Sequence, residues 1–204
     1  ADEAVAGGRA RLGEKFPRAA LRRMTHLGLL VGSALDGLAL GPDDALVYAT
    51  TFAETRSLED YLATFPTPSP MLFQTSIHPS AVQQVLIARQ QPLTRFWPMT
   101  GRRRLVEHAL LAARLEPAPR CILVGGEERG TWMLEHDMAG DRAFAFAVEL
   151  TRVAAGASGR VMFDDASGPG DSACPALAAF ADALAERRPL HWRGAGGGWS
   201  LEWS

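Results

Sequence analysis

Two cysteines, five histidines and a scattering of hydroxyls are the side chains through which this sequence could do nucleophilic or acid–base chemistry. Cys121 opens the apolar run Cys121–Val124, where a free cysteine behaves as a small buried hydrophobe. Cys174 follows Gly170-Asp171-Ser172-Ala173 at an expected helix start, where backbone dipoles would lower a thiol pKa, although a structural role is the simpler reading. Neither cysteine has a spacing that implies a disulfide framework or a zinc site. His78 lies in Ser76-Ile77-His78-Pro79, just ahead of a helix, and reads either as a hydrogen-bonded turn residue or as part of a binding surface. His108 sits on a helix, whereas His26, His136 and His191 show no mutual spacing that suggests ligands. Glu127-Glu128, Glu135 and Asp137 have no defined separation from which an acid–base pair could be argued, so they read as solvated loop charges. Gly194–Gly198 lacks the lysine and following helix of a phosphate loop and reads as a flexible turn.

The elements that must position these residues alternate. Apolar residues recur at helical spacing over Ala19–Leu40, and Gly41-Pro42 supplies a stop. Ala45–Thr50 reads as a strand and Thr55–Phe65 as a helix. Pro66, Pro68 and Pro70 mark a loop, with Met71–Ser76 extended beyond it. There follow a helix over Ser80–Gln91, a strand over Leu93–Met99, a helix over Arg102–Leu115 and a buried strand at Cys121–Val124 that Gly125-Gly126 ends. Ala143–Val153 is β-prone and Arg160–Phe163 is expected to pair beside it. Asp164–Asp171 is turn-rich, Cys174–Arg187 is a helix, and Leu190–Arg193 with Trp199–Trp203 forms a closing hairpin. Such alternation specifies a layered α/β domain. At 204 residues and 47% hydrophobic content the chain reads as one domain over 19–204 after a flexible lead-in at 1–18. A net charge of −2 gives no electrostatic case for nucleic acid. No apolar stretch approaches the ~20 residues that span a bilayer, so a soluble, cytoplasmic protein is expected.

The order from Ser80 to Glu128 resembles the N-terminal half of the β-ketoacyl synthases, members of the thiolase-like fold. Pro92 stands for the family proline, Leu93–Met99 for the strand that climbs to the nucleophile, Gly101–Leu115 for the helix that the nucleophile opens, and CILVGGEE at Cys121–Glu128 for the strand ending in Gly-Gly. Arg22-Arg23-Met24, ALVYATTFAE and SPMLFQTSIHPSA fit upstream. The last of these resembles a segment of the short ketosynthase-like proteins of aryl polyene and xanthomonadin-type pathways, with Pro79 in place of an asparagine. The family spacing, laid over this stretch without a gap, puts Thr100 where the nucleophilic cysteine belongs.

That resemblance implies a fold and a role. The fold is half of a thiolase-like α/β fold, a single mixed sheet with helices, expected to complete its layers with a partner subunit. A ketosynthase needs a thiolate at a helix N-terminus and two histidines from the second half of the fold. Threonine replaces the first, and nothing after Val153 has the length for the second. The implied role is that of a chain-length factor: a non-catalytic subunit, with no cofactor or metal, that pairs with a full-length β-ketoacyl synthase and shapes the tunnel for a chain carried on acyl carrier protein. Phe73, Ser76, His78, Phe96, Trp97, Thr100 and His108 are the candidate tunnel or interface residues. The helix over Arg102–Leu115 is apolar beyond a single stripe, so it needs cover either from Cys174–Arg187 or from the partner. Two rivals remain: an acyltransferase or hydrolase using Thr100, Ser76 or Cys174, and a homodimeric module that binds acyl chains or carrier protein.

Overall fold

The computed structural model describes residues 7, 10, 12–13, 16–153, 155–164 and 173–204. Its centre is β1 (Ala45–Thr50), every residue of which is buried. A strand buried on both faces must be covered on both sides, which is why ALVYAT is an unbroken apolar run rather than an alternating one. Parallel neighbours flank it: β2 (Arg95–Thr100) on one side and β3 (Arg120–Glu127) on the other. β4 (Phe144–Thr151) pairs antiparallel with β3, giving the order β2-β1-β3-β4. β2 is therefore an edge, and Pro98 in its middle is tolerated because an edge strand can spare a donor.

Alternate residues divide the core in two. Leu46 and Tyr48 of β1, with Ile122 and Val124 of β3, face a helical layer made by α2 (His26–Ala34) and α5 (Ser80–Ala88). Ala45, Val47, Ala49, Cys121 and Leu123 face α6 (Leu105–Leu115) and α7 (Leu177–Glu186). The short α1 (Arg18–Leu21), α3 (Thr55–Leu62) and α4 (Pro70–Ser76) complete the helices in front of α5. Beyond α6 and α7 lies a second, three-stranded antiparallel sheet in the order β5-β7-β6, built from β5 (Gly159–Asp164), β6 (Leu190–Arg193) and β7 (Gly198–Trp203). Its Trp192, Trp199 and Leu201 pack into the same core as Leu105, Val106, Ala109 and Leu110 of α6. The expected mixed sheet is thus present, with an additional small sheet as a fourth layer.

Of the two covers open to the apolar helix, the one within the chain is present. The apolar helix α6 is covered within the chain itself, by α7 and the small sheet: Glu107 accepts the Ala195 N–H at 3.1 Å, and the Arg114 guanidinium stands 4.7 Å from the centre of the Phe163 ring. Only Leu111 and Leu115 at its C-terminal end remain exposed among its large apolar residues.

Other boundaries moved for local reasons. The helix expected over Ala19–Leu40 is broken at Thr25, whose hydroxyl caps a new N-terminus by accepting the Gly28 N–H at 3.0 Å. Met71–Ser76, expected to be extended, is helical, because Ser69 supplies an N-cap and Pro70 sits in the first turn where its missing N–H costs nothing. The Gly-Gly does not end β3. The strand runs on through Glu127, and Gly125 is needed because a Cβ there would lie 2.3 Å from the Phe146 ring. β5 pairs with β7 rather than with β4. Of the expected lead-in at 1–18, part lies outside the described residues, as does most of Asp164–Asp171; Leu12 and Phe16 are buried in the α2/α5 core. Among the described residues no helix is long and apolar enough to cross a membrane.

The N-terminal end of the sheet is tied by Arg120. Its guanidinium bonds both carboxylate oxygens of Asp44, the Ala39 carbonyl and Glu149, while Asp44 also accepts the Gly41 N–H. The Arg120 hydrogen bond holds the Asp44 carboxyl below its ordinary value. A depressed carboxyl contributes stability that is complete above the ordinary carboxylate pKa and is lost as pH falls through the depressed one. Replacing Arg120 with methionine should lower stability by about 2 kcal/mol at neutral pH, since it strands a buried carboxylate. The difference from wild type should shrink in acid, as urea unfolding at several pH values would show.

Candidate functional site

The carboxyl ends of parallel strands are where open α/β sheets place their sites. Here those ends are Thr50 of β1, Thr100 of β2 and Glu127 of β3. Thr100 is exposed, and its hydroxyl donates to the Thr51 carbonyl at 3.5 Å, near the long limit of a hydrogen bond. No base is bonded to it among the described residues. Nor does it open a helix, although the resemblance gave Gly101–Leu115 as the helix that this position opens. Gly101 follows at φ +150°, Arg104 takes a left-handed conformation, and α6 starts only at Leu105. The helix N-terminus whose dipole would activate a nucleophile thus comes at Arg104, four residues further along the chain.

At the same end of the sheet lie four buried glutamates, Glu54, Glu59, Glu127 and Glu128, each accepting from one or two backbone N–H groups that would otherwise be orphaned. Glu127 accepts from the Thr51 N–H and, at 3.3 Å, from the Phe52 N–H, which fixes the loop leaving β1. Glu128 accepts the Arg56 N–H at 2.8 Å in the first turn of α3. Glu54 accepts the Ala81 N–H at 3.0 Å in the first turn of α5. Glu59 accepts from Thr131 at 2.7 Å and Met133 at 3.0 Å, at the head of a 3₁₀ turn over Trp132–His136. A carboxylate at a helix N-terminus satisfies donors and meets the positive end of the dipole. Glu127 and Glu128 are therefore internal staples and not the solvated loop charges their sequence context suggested. Nothing in one dimension signalled this, because each partner lies 27 or more residues away.

The second oxygens are less well served. Glu54 Oε2 stands 3.4 Å from His78 Nδ1 and Glu128 Oε2 3.7 Å from His26 Nδ1; these are ion-pair distances, and neither oxygen is hydrogen-bonded. Tyr48 lies among them with its hydroxyl unpartnered, and burial first, then the negative fields of Glu54, Glu127 and Glu128, push its pKa well up. The His78 ring stacks on Tyr48 at 5.1 Å. The pocket of polarity is thus centred on Tyr48, beneath β1, and the strand itself separates it from α6.

The other sequence candidates are dispersed. Phe73 on α4 is about half exposed and rests against Tyr61. The Ser76 hydroxyl donates to the Phe73 carbonyl of its own helix at 2.8 Å. His78 turns inward as described. Phe96 packs against the α2/α5 core, while Trp97 on the opposite face of β2 is exposed and donates its Nε1–H to Glu116 at 2.8 Å. His108 is exposed on α6. Burial raises the Cys121 thiol to about 11 and the Cys174 thiol above its ordinary value, opposite to activation. Among the described residues no three histidines, cysteines or acids are grouped to hold a metal.

A four-stranded sheet with three parallel strands and one antiparallel edge, a helical layer on each face and a further small sheet make an α/β fold of the layout that the thiolase-like resemblance implied. The solved structures specify the likeness further. The chain superposes on one from the ketosynthase ApeO in complex with its chain length factor ApeC from Xenorhabdus doucetiae, at TM-score 0.65 and 19% identity over 91% of this chain and 81% of that one. It also superposes on the ishigamide ketosynthase/chain length factor, at TM-score 0.56 and 16% identity, over 88% of this chain but 58% of the other. No protein-family model and no curated protein matches the sequence.

Two predictions follow from the geometry at these strand ends. A cysteine placed at Thr100 should titrate as an ordinary exposed thiol, near 8.5, when its iodoacetamide reactivity is followed against pH; a strongly depressed value would mean an activating field exists there. For Glu127, burial raises the carboxyl above its ordinary value despite the N–H donors. The folded chain then holds that proton more tightly than the unfolded one, so stability falls as pH rises through the raised pKa. E127Q should remove that part of the pH dependence, seen as a flatter urea midpoint from acid to neutral pH.

Proposed function

We propose that this chain is a non-catalytic, chain-length-factor-like subunit that pairs with an active β-ketoacyl synthase and forms part of the wall of its acyl or polyene tunnel. The observation that carries the reading is Thr100: the place that the resemblance gives to the nucleophile holds an exposed hydroxyl at a strand end, with no helix dipole and no base. The rival nucleophiles fare no better, since Ser76 is spent on its own helix and the Cys174 thiol is raised by burial. Likeness to folds solved as ketosynthase and chain length factor supports the pairing.

The surface offers two places for a partner. β2 has an open edge with Trp97 exposed beside it. The α3–α4 hairpin exposes Phe65, Met71, Phe73 and Ile77, a concentration of apolar side chains that a water-exposed surface does not ordinarily keep. Phe73, Trp97 and Thr100 are the residues we assign to the interface, with acyl carrier protein delivering the chain to the catalytic partner.

Co-expression with an intact ketosynthase from the same biosynthetic locus should yield a one-to-one complex, and omission of this chain should abolish full-length extension. A ketosynthase that extends fully by itself would overturn the reading. F73D should weaken the complex by about 30-fold, corresponding to the ~2 kcal/mol of an interface hot spot, while leaving the monomer's melting temperature nearly unchanged. Light scattering of the isolated chain separates a homodimer from this case. Intact-mass analysis after incubation with acylated carrier protein should find no adduct.

A further inference from the structure

The first sheet ends in two open edges, and they differ in what they can accept. β2 carries Pro98 in its middle, whereas β4 runs over eight residues, FAFAVELT, with neither proline nor glycine, so every residue keeps its N–H. In an antiparallel ladder a residue exchanges both of its hydrogen bonds with the partner strand or neither, so alternate residues of β4 turn N–H and C=O away from β3. Among the described residues the backbone of β4 bonds to β3 alone, and β5, which follows it in the chain, pairs with β7 instead. A strand of this length with an unpaired edge is a template for another.

The space beside that edge is a slot. A cleft of about 960 Å³ lies along residues 147–153 and a second of about 500 Å³ along 144–148, and the two share Ala147, Val148, Leu184 and Trp203. Successive side chains of a strand point to opposite faces, so such consecutive runs mean that the main chain itself borders the space. Ala34 of α2 stands on one side of the sheet, and Ala181 and Leu184 of α7 with Trp203 of β7 on the other. A slot walled on both sides admits a single extended segment, not the edge of a second folded sheet with helices of its own.

The side chains around the slot define that segment. On the α7 side of β4, Phe144, Phe146, Val148 and Leu150 stand in a row, and all four are only partly buried although they pack on the α6/α7 core. A strand laid beside β4 covers them with its own alternate side chains, as cross-strand neighbours do. The other face of β4 presents Ala145, Ala147, Glu149 and Thr151, which are small or polar. At the Thr151 end stand two cations engaged by a ring and by carbonyls. Arg114 lies 4.7 Å from the centre of the Phe163 ring, and Arg152 donates to the Arg114 and Glu116 carbonyls, both at 3.0 Å. The neighbouring acids are taken up by other partners, Glu149 by Arg120 and Glu116 by Arg95.

We propose that the outer edge of β4 takes up an extended polypeptide segment as an added strand, apolar at alternate positions on the α7 side and acidic where it passes Arg114 and Arg152. Main-chain bonds hold the segment and its alternate side chains select it. The site lies at the opposite edge of the sheet from Trp97 and Thr100 and does not rest on the pairing with a ketosynthase.

Calorimetric titration of the full chain with an acetylated peptide of alternating valine and threonine, closed by two aspartates, tests it. Saturable one-to-one binding is expected, with slowed hydrogen exchange at alternate amides of β4. N-methylation of one alternate set of peptide nitrogens should abolish binding, and N-methylation of the other set should change it by less than about threefold, because only one edge of an added strand faces β4. R114Q should weaken the aspartate peptide about tenfold and its asparagine analogue little. No saturable binding, equal loss from both methylation patterns, unchanged exchange in β4, or an R114Q chain that binds both peptides as wild type does would each overturn the proposal. So would a dimer of the free chain that excess peptide leaves intact, which would give the edge to a second copy.

Discussion

The arrangement of this molecule rests on carboxylates placed where helices begin. Glu54, Glu59, Glu127 and Glu128 are buried at the carboxyl end of the parallel strands, and between them they satisfy the first turns of α3, α5 and the 3₁₀ segment and the loop leaving β1. Burying an ionised group is costly unless the donors around it are numerous and fixed, and the N-terminal turns of helices supply them. The three connections that leave the ends of β1 and β3 and enter α5 are therefore held to one another through side chains rather than through a common backbone ladder. That ties down the loop leaving β1, to whose Thr51 carbonyl Thr100 donates, and the same layer packs the Tyr48 ring against His78.

The second feature that shapes the reading is the small sheet. A helix as apolar as α6 must be covered on more than one side, and here Trp192, Trp199 and Leu201 provide cover from within the same chain. The consequence for function is one of allocation. Any association need not bury α6, which is already dry for most of its length, whereas the β2 edge and the α3–α4 hairpin keep apolar side chains exposed.

Much of this was legible in one dimension. β1 and β3 announced themselves as unbroken apolar runs, because a strand covered on both faces has no polar side to show, and the hairpin of Leu190–Arg193 with Trp199–Trp203 followed from two short β-prone segments around a glycine turn. α4 was misread although its signals were present: Ser69 and Pro70 are a cap and a first-turn proline, overlooked because seven residues carry too little periodicity to compete with the proline-rich loop before them. The break at Thr25 was hidden for the converse reason, as apolar spacing continued across it. The glutamate staples were illegible in principle, since Glu127 and Thr51 are brought together only by the pairing of β1 with β3. The position of Thr100 came from spacing, but its lack of helix dipole came only from the left-handed turn at Arg104.

Pro98 has a consequence for how many copies can join. In β2 it occupies an edge position, where the nitrogen it cannot use as a donor faces away from β1. A strand that approaches this edge must bond around the gap, through the flanking residues, so only a sequence in the right register can be accommodated. Stacking of one sheet onto the next, the usual hazard of an open edge, is interrupted at its midpoint. The same imino acid thus weakens the edge as a template for open-ended strand addition.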